Sequence, residues 1–362
     1  MWREVYHYSA ESDKGVWPEI FKGYIIYIDY KRQLIIQDGA SFHSTAFSED
    51  DLDVDSFGVV DDELFILFKT DKIQKIYKYN NGILEPYFES CLGSFRFLGK
   101  NKACCSQNFS HWKEPEHKGA FYYYDLGQNN PIWERQTCND LYASVLSEQG
   151  LFFQNLNANK LYHLDPDTGQ TLWEIDLPEG VKTANEPIRV YDNVIAISLE
   201  KKVKQRGRRD RRLCFMWGLN PNTGERLWEI SHRSLFFFKE PETGLLHNFS
   251  SASKAFGEKE YFYECIDPVA GKLLSQKEVS GEYEGWEVGT VSPHLKTLDN
   301  GILYFKADNR VIGRFNINSQ CVEYAQVLKE LTSQRFSEPQ IYGNRMLVSD
   351  DNERFHVYEW VE

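Results

Sequence analysis

The alternation of apolar and polar residues is clearest at Leu161–Leu177, where the chain reads LYHLDPDTGQTLWEIDL. A period of two is typical of a β-strand that buries one face. Between the two alternating halves, PDTG at positions 166–169 supplies a proline with fixed φ, polar caps and a glycine that tolerates positive φ. The segment is therefore predicted to form two antiparallel strands joined by a tight turn.

The same pattern recurs at Leu219–Ile230, LNPNTGERLWEI, and in weaker copies along the whole chain. Seven turn residues mark the copies at intervals of 42, 45, 40, 55, 47 and 49 residues: Asp38, Asn80, Asp125, Asp165, Asn220, Asp267 and Asn316. An eighth copy occupies Ile341–Glu362. Repeats of this length are typical of propellers and solenoids. We predict an all-β fold, an eight-bladed β-propeller of four-stranded blades in a single domain, residues 1–362, with seven blades as the alternative.

The two ends of the chain are predicted to share one blade. The last copy supplies strands at Arg345–Ser349 and Arg354–Trp360 and then ends before an outer strand. Met1–Ser9 resembles the outer strands of other copies, because its Trp-Arg-Glu-Val sequence is similar to Trp173-Glu174-Ile175. Pairing this segment with the last copy would remove two exposed strand edges.

The best copies can be divided into individual strands by their alternation and turns. In the fourth blade the predicted strands are Leu141–Leu146, Gly150–Gln154, Asn159–Leu164 and Thr171–Asp176. In the fifth blade the second and third strands are predicted at Asn193–Leu199 and Leu213–Leu219.

Three long insertions are predicted between second and third strands, at Ser106–Gly119, Lys201–Arg212 and Ser250–Glu260. Strand direction alternates within a blade, so these loops are expected on one face, where loops carry function. The second insertion holds eight cations in twelve residues of an acidic protein. We expect the partner-binding residues here: Phe109, His111, Trp112, Lys201, Lys202, Arg206, Arg208, Arg209, Arg211, Arg212 and Phe256. The alternative for the basic run is a solvated loop.

The LYxLDPxTGxxLWE pattern resembles the repeats of pyrroloquinoline-quinone-type β-propellers, which include quinoprotein dehydrogenases and non-enzymatic outer-membrane assembly lipoproteins. The resemblance implies that turn glycines and outer-strand tryptophans lock neighbouring blades, with Gly169 and Trp173, Gly224 and Trp228, and also Trp133, in that role. It specifies the fold and leaves the activity open.

No catalytic or metal-binding pattern stands out, so no catalytic residue, metal or cofactor is predicted. Cys104-Cys105 resembles the vicinal cysteine pair of some quinoproteins, but neighbouring side chains of a strand point to opposite faces and both thiols are expected to pack. A metal site that adds His111 and His117, and a calcium loop at Asp50, Asp51, Asp53 and Asp55, are weaker alternatives to structural and solvated positions.

Composition limits the partners and the compartment. Seven cysteines without a secretion signal predict reduced thiols and a cytoplasmic protein. No apolar run is long enough to predict a membrane span. The net charge of −13 makes nucleic acid an unlikely partner and favours encounter with basic surfaces.

Three functional hypotheses remain. The first is a non-enzymatic scaffold that binds an unidentified protein partner through the elaborated loops, as an inhibitor or immunity-type protein against a toxin would. The second is a quinoprotein-like redox enzyme that uses the central channel, and the third is a nucleic-acid binder that uses the basic loop.

Overall fold

Every regular element in the described part of the computed structural model is a β-strand, as the period-two pattern requires. The structure describes residues 1–9, 18–29, 33–39, 41, 44–47, 53–60, 63–69, 73–80, 83–91, 94–99, 101–106, 118–126, 128, 130–138, 141–155, 159–183, 188–203, 211–234, 236–253, 259–308, 310–331, 336–350 and 354–361. Within these ranges there is no helix of the length and apolar character that crossing a membrane needs.

One compact unit, Ser48–Arg233, contains the second to fifth blades. Blade 2 consists of β6 (Asp53–Val60), β7 (Glu63–Lys69), β8 (Ile73–Asn80) and β9 (Ile83–Cys91). Blade 3 consists of β10 (Ser94–Gly99), β11 (Lys102–Ser106), β12 (Lys118–Asp125) and β13 (Asn130–Cys138). Blade 4 consists of β14 (Leu141–Ser147), β15 (Gly150–Asn155), β16 (Lys160–Leu164) and β17 (Thr171–Asp176). In blade 5 the first strand position is split between β18 (Val181–Thr183) and β19 (Arg189–Tyr191), followed by β20 (Val194–Val203), β21 (Arg211–Leu219) and β22 (Arg226–His232).

The other unit, Met1–Phe47 with Ser234–Glu362, contains the remaining four blades. Blade 1 consists of β2 (Glu19–Phe21), β3 (Tyr24–Ile28), β4 (Leu34–Asp38) and β5 (Ser44–Phe47). Blade 6 consists of β23 (Phe238–Lys239), β24 (Leu246–Ser253), β25 (Lys259–Asp267) and β26 (Lys272–Val279). A short hairpin, β27 (Glu282–Tyr283) and β28 (Trp286–Glu287), precedes blade 7, which consists of β29 (Val291–Asp299), β30 (Ile302–Ala307), β31 (Val311–Asn316) and β32 (Cys321–Val327). Blade 8 combines β33 (Gln340–Tyr342), β34 (Arg345–Asp350) and β35 (Arg354–Trp360) with β1 (Trp2–Ser9).

The pairing of β1 with β35 confirms the predicted closure of the last blade by the first strand. The two strands are antiparallel from Trp2 opposite Trp360 to Ser9 opposite Arg354. Trp2 is buried against the rings of Trp360 and Tyr304, at centroid distances of 5.1 and 6.3 Å. The side-chain amide of Gln326, from blade 7, accepts from Trp2 N at 3.0 Å and donates to Trp2 O at 2.9 Å. Strand β1 is therefore fixed both within its own blade and by the neighbouring one.

The eight blades confirm the predicted all-β fold, an eight-bladed β-propeller. Within each unit the apolar core lies between neighbouring blades, because each sheet buries both faces. One cluster, for example, joins Phe152 and Leu161 of blade 4 to Ile195 and Trp217 of blade 5. That residues 1–362 form a single domain stays a prediction.

The interblade contacts of the repeat motif differ in one respect from the prediction. Trp133 of blade 3 packs on the turn of blade 4, where a Cβ at Gly169 would lie 2.6 Å from its Cδ2, and its Nε1 donates to Pro166 O at 2.9 Å. Trp173 makes the equivalent contact with Gly224 and donates to Pro221 O at 2.8 Å. The predicted partners, Gly169 with Trp173 and Gly224 with Trp228, are therefore wrong. Trp133 and Trp173 each meet the glycine of the following repeat, since the contact bridges two blades, whereas Trp228 packs against Gly218 of its own blade.

Candidate functional site

The basic run of blade 5 lies on an extended hairpin. Strands β20 and β21 pair continuously from Ile195 opposite Leu219 to Val203 opposite Arg211. The prediction that all of Lys201–Arg212 forms a loop is therefore wrong at both ends. The reason is non-local: β18 adds to the other edge of β20, with Val181 opposite Lys201 and Thr183 opposite Leu199. This third strand extends the sheet beyond the part that the repeat pattern marks.

The register places several charges on one face of this sheet. Lys202 lies directly opposite Arg212, and Lys182 lies directly opposite Glu200. Because Glu200 and Lys202 are two residues apart on β20, all four side chains share a face. We call these four residues, Lys182, Glu200, Lys202 and Arg212, the basic face.

Cations outnumber carboxylates on the basic face. Lys182, Lys202 and Arg212 are exposed. One carboxylate oxygen of Glu200 lies 3.2 Å from Arg212 Nε. Neither Lys182 nor Lys202 has an ion pair among the described residues. Lys201 is exposed on the opposite face, next to the partly exposed Leu213. A directly opposed cation pair such as Lys202 and Arg212 destabilises a sheet, so it is not explained by folding.

Lys182, which lies 19 positions before the first lysine of the run, was not predicted from the sequence. Its signal is the short alternation Val181-Lys182-Thr183, buried, exposed and buried in the structure. Only the pairing of β18 with β20 brings this lysine to the basic run.

The other predicted partner-binding residues fall largely outside the described ranges. This applies to Phe109, His111, Trp112, Arg206, Arg208, Arg209 and Phe256. Arg211 lies in β21, opposite Val203. The contribution of these residues to binding stays a prediction.

The other two insertions also begin later than predicted. Ser250–Ser253 belongs to β24 and Lys259 begins β25, with Ser253 opposite Lys259. Ser106 is the last residue of β11, and β12 begins at Lys118. The strands of these hairpins thus extend into the segments predicted as loops.

The vicinal cysteines pack as predicted. Cys104 lies in an apolar cluster with Phe121 and Phe153, between blades 3 and 4. Cys105 lies in a separate cluster with Phe65 and Phe88, between blades 2 and 3. The two thiols therefore point to opposite faces of β11, and both are buried and outside disulfides.

Metal-ligand groupings are absent from the described part of the chain, where no three His, Cys, Asp or Glu residues are placed to hold an ion. His111, His117, Asp50 and Asp51 lie outside it. Asp53 and Asp55 belong to β6, whereas the sequence placed them in a loop. They were misassigned because the acidic run hides the strand alternation.

A buried polar network in blades 6 and 7 was also not predicted from the sequence. Lys296 Nζ donates to Asn248 Oδ1 at 3.2 Å, and the Asn248 amide donates to the hydroxyls of Ser234 and Ser250. Glu264 accepts from Ser234 N at 3.0 Å and from Gln276 Nε2 at 2.7 Å. Ser234, Asn248, Ser250, Glu264 and Lys296 are all buried. The network satisfies its own polar groups, as a buried structural network must.

Solved structures with the same fold match almost the entire chain. BamB from Moraxella catarrhalis superposes with a TM-score of 0.59 at 10% identity, covering 99% of this chain and 100% of that one. Sqt1 from Saccharomyces cerevisiae superposes with a TM-score of 0.60 at 9% identity, covering 99% of each chain. No curated protein sequence matches the chain.

The family assignment rests on more than half of the sequence. The family model described as outer membrane protein assembly factor BamB matches residues 117–360. This range includes the Gly169 and Gly224 turns, the tryptophans that pack on them, and the basic face. The chain belongs to the family of the outer membrane protein assembly factor BamB, the PQQ-like repeat propellers.

Proposed function

We propose that this propeller is a non-enzymatic scaffold that binds a protein partner, and that the basic face of blade 5 contacts an acidic surface of that partner. The observation that carries the proposal is the directly opposed, exposed pair of Lys202 and Arg212, beside Lys182, which has no ion pair in the part of the chain that the structure describes. The fold gains nothing from concentrating like charges there. A partner carboxylate between them would relieve the repulsion and form charge-assisted hydrogen bonds.

The overall charge supports a protein partner over a nucleic acid. The chain has a net charge of −13, so a phosphate backbone that approached the basic face would also meet a repulsive body. A protein with surface charges of both signs could bind the cationic hairpin and tolerate the acidic remainder. The family description, an assembly factor, is a second reason to expect action on proteins.

An enzymatic role has weaker support. The polar network around Asn248 and Lys296 has members that are buried and bonded to one another. A catalytic cluster must reach a substrate. The network is better explained as a structural link between β24 and β29.

The proposal includes two finer statements that came from the sequence. One is an inhibitory, immunity-type role, in which the partner is a toxin. The other is action in the cytoplasm, for which the reduced cysteines are the reason.

The test is a comparative capture from the native cell. Tagged wild-type protein and a variant with Lys182 and Lys202 changed to serine are used as baits, and bound proteins are quantified by mass spectrometry. A matched control changes two exposed lysines of blade 6, Lys272 and Lys277, to serine. We expect one or more acidic proteins on the wild type and the control and a loss of at least about tenfold on the variant.

Equal capture by all three baits would contradict the proposal and would leave the basic run as a solvated hairpin. Capture of nucleic acid in place of protein would favour the alternative of a nucleic-acid binder. A captured toxin whose activity the wild type suppresses would support the immunity-type role. A substrate converted by the wild type would overturn the non-enzymatic assignment.

A further inference from the structure

A second candidate site lies in the unit that contains blade 8, on residues that the proposed function does not use. It is a cavity of about 320 Å³ on the outer part of this blade, next to the segment that follows β32. Its lining residues are Glu4, His7, Ser9, Glu330, Arg354 and His356. Ligand pockets begin at about this size.

A β-bulge aims the side chains of β1 into this cavity. Glu4 and His7 are three residues apart, so a regular strand would place them on opposite faces. The register shift between Glu4 and Tyr6 puts Glu4 opposite Tyr358 and His7 opposite His356. Because residues 356 and 358 share a face, Glu4 and His7 also share it. Bulges that re-aim a side chain occur next to functional sites.

A buried histidine in the wall of the cavity has one ring nitrogen without a hydrogen-bond partner in the described part of the chain. His356 is buried, and its Nδ1 is 2.6 Å from Glu4 Oε1. Its Nε2 has no hydrogen bond among the described residues and lies 3.8 Å from Asp350 Oδ2. Because Nδ1 faces a carboxylate, which only accepts, Nε2 is left to accept a hydrogen bond. A buried polar atom of this kind requires an explanation, and an N–H donor of a bound ligand is one.

The charge around the cavity is predominantly negative. Glu4 and Glu330 line it, and Asp350 is buried behind His356. Burial, together with the proximity of Glu330, Glu4 and Asp350, raises the pKa of the Tyr358 hydroxyl above its ordinary value. The three carboxylates therefore converge on one region. Arg354 offsets only part of this charge.

We propose that the cavity binds a small organic cation, an ammonium or guanidinium group, through the carboxylates of Glu4 and Glu330. Such a group donates several hydrogen bonds. Its charge-assisted hydrogen bonds to carboxylates are stronger than hydrogen bonds between neutral groups. A divalent metal fits less well, because the described residues hold no group of three ligands placed for an ion. The cation can belong to a free amine or to a lysine or arginine side chain of a peptide.

The full-length protein is titrated calorimetrically with agmatine, which carries both a guanidinium and an ammonium group. A peptide with a single central arginine and blocked ends is the second probe, and Mg²⁺, Ca²⁺ and Zn²⁺ are titrated separately. Glu330→Gln removes one lining carboxylate outside the β1–β35 ladder. Glu282→Gln, an exposed position in β27, is the matched control.

We expect agmatine to bind the wild type and the Glu282→Gln control equally and to bind Glu330→Gln about tenfold more weakly, as the loss of one charge-assisted hydrogen bond implies. Tighter binding of the peptide than of agmatine would identify a side chain as the cation, and the reverse would identify a free amine. The proposal is overturned if agmatine and the peptide do not bind, if Glu330→Gln binds them as the wild type does, or if a metal ion displaces them. Thermal unfolding of each variant shows that the fold is retained, and none of these outcomes depends on the basic face.

Discussion

Gly169 is the residue at which turn conformation and blade packing can be separated. Its φ of +69° belongs to the left-handed region, and a Cβ would lie 2.6 Å from Trp133 Cδ2. Gly180 has a φ of +74° but open space where a Cβ would be. The two glycines therefore have the same backbone requirement and differ in their surroundings.

We expect Gly169→Ala to lower the free energy of unfolding by about 3 kcal/mol and Gly180→Ala by about 1 kcal/mol. The difference between the two losses measures the cost of displacing the Trp133 indole, which belongs to blade 3, from the turn of blade 4. Denaturant titrations of both variants give the two values. Equal losses would mean that the tryptophan moves away freely and does not lock the blades.

His163 makes stability depend on pH at the residue scale. Burial lowers the pKa of this histidine below its usual value, and its Nε2 is hydrogen-bonded to Gln149 O at 2.8 Å. As pH falls through the ordinary histidine range, the unfolded chain takes up a proton that the folded chain resists. The contribution of His163 is therefore complete above that range and is lost as the solution becomes more acidic.

The expected result is a smaller loss of stability between about pH 7.5 and 5.5 in His163→Gln than in the wild type. His247, whose pKa is also lowered by burial, should show the same behaviour. The free energy of unfolding at several pH values provides the comparison. If His163→Gln and His247→Gln together leave the pH dependence of stability unchanged, the account is contradicted.

At the scale of strands, the sequence was most informative where apolar alternation and turn residues agree. The predicted strands of blade 4 and the pairing of β1 with β35 are confirmed within one or two residues. The ends of β20 and β21 were not predictable, because their extension depends on β18, a strand of three residues whose alternation is too short to predict a strand. The tryptophans that pack on Gly169 and Gly224 were also not predictable, because a repeat pattern does not specify which copies are in contact.

Removal of β1 tests whether this strand closes its blade. Deleting residues 1–9 exposes the edge of β35 and removes Trp2 from the cluster that contains Leu328 and Tyr358. The loss of a buried tryptophan alone should cost about 3 to 5 kcal/mol, and the free edge should promote aggregation. Thermal unfolding and light scattering report the two effects, with Arg3→Ser, an exposed change that keeps the strand, as the control.

Unchanged melting and scattering in the deletion variant would mean that blade 8 is complete without its outer strand. The hydrogen bonds of Gln326 and Val361 to the backbone of Trp2 and Met1 would then contribute no measurable stability.

For the whole molecule, the distribution of charge is more informative than its sum. The chain carries 41 lysines and arginines against 54 acidic residues, yet its basic run concentrates eight cations in blade 5. Composition alone predicted encounter with basic partners. The register of β18, β20 and β21 places Lys182, Lys202 and Arg212 on one face, which is where we propose that an acidic partner binds. The basic run was visible in the sequence, whereas Lys182 and the shared face were not.

The most direct test of the central claim is the salt dependence of binding between the purified protein and its captured partner. Dissociation constants are measured at about 50 and 300 mM salt for the wild type, the Lys182 and Lys202 serine variant, and the Lys272 and Lys277 control. If the basic face contacts an acidic surface, the wild type and control should bind at least about tenfold more weakly at high salt, and the serine variant should bind weakly with little salt dependence. Equal, salt-independent constants for all three proteins would contradict the account.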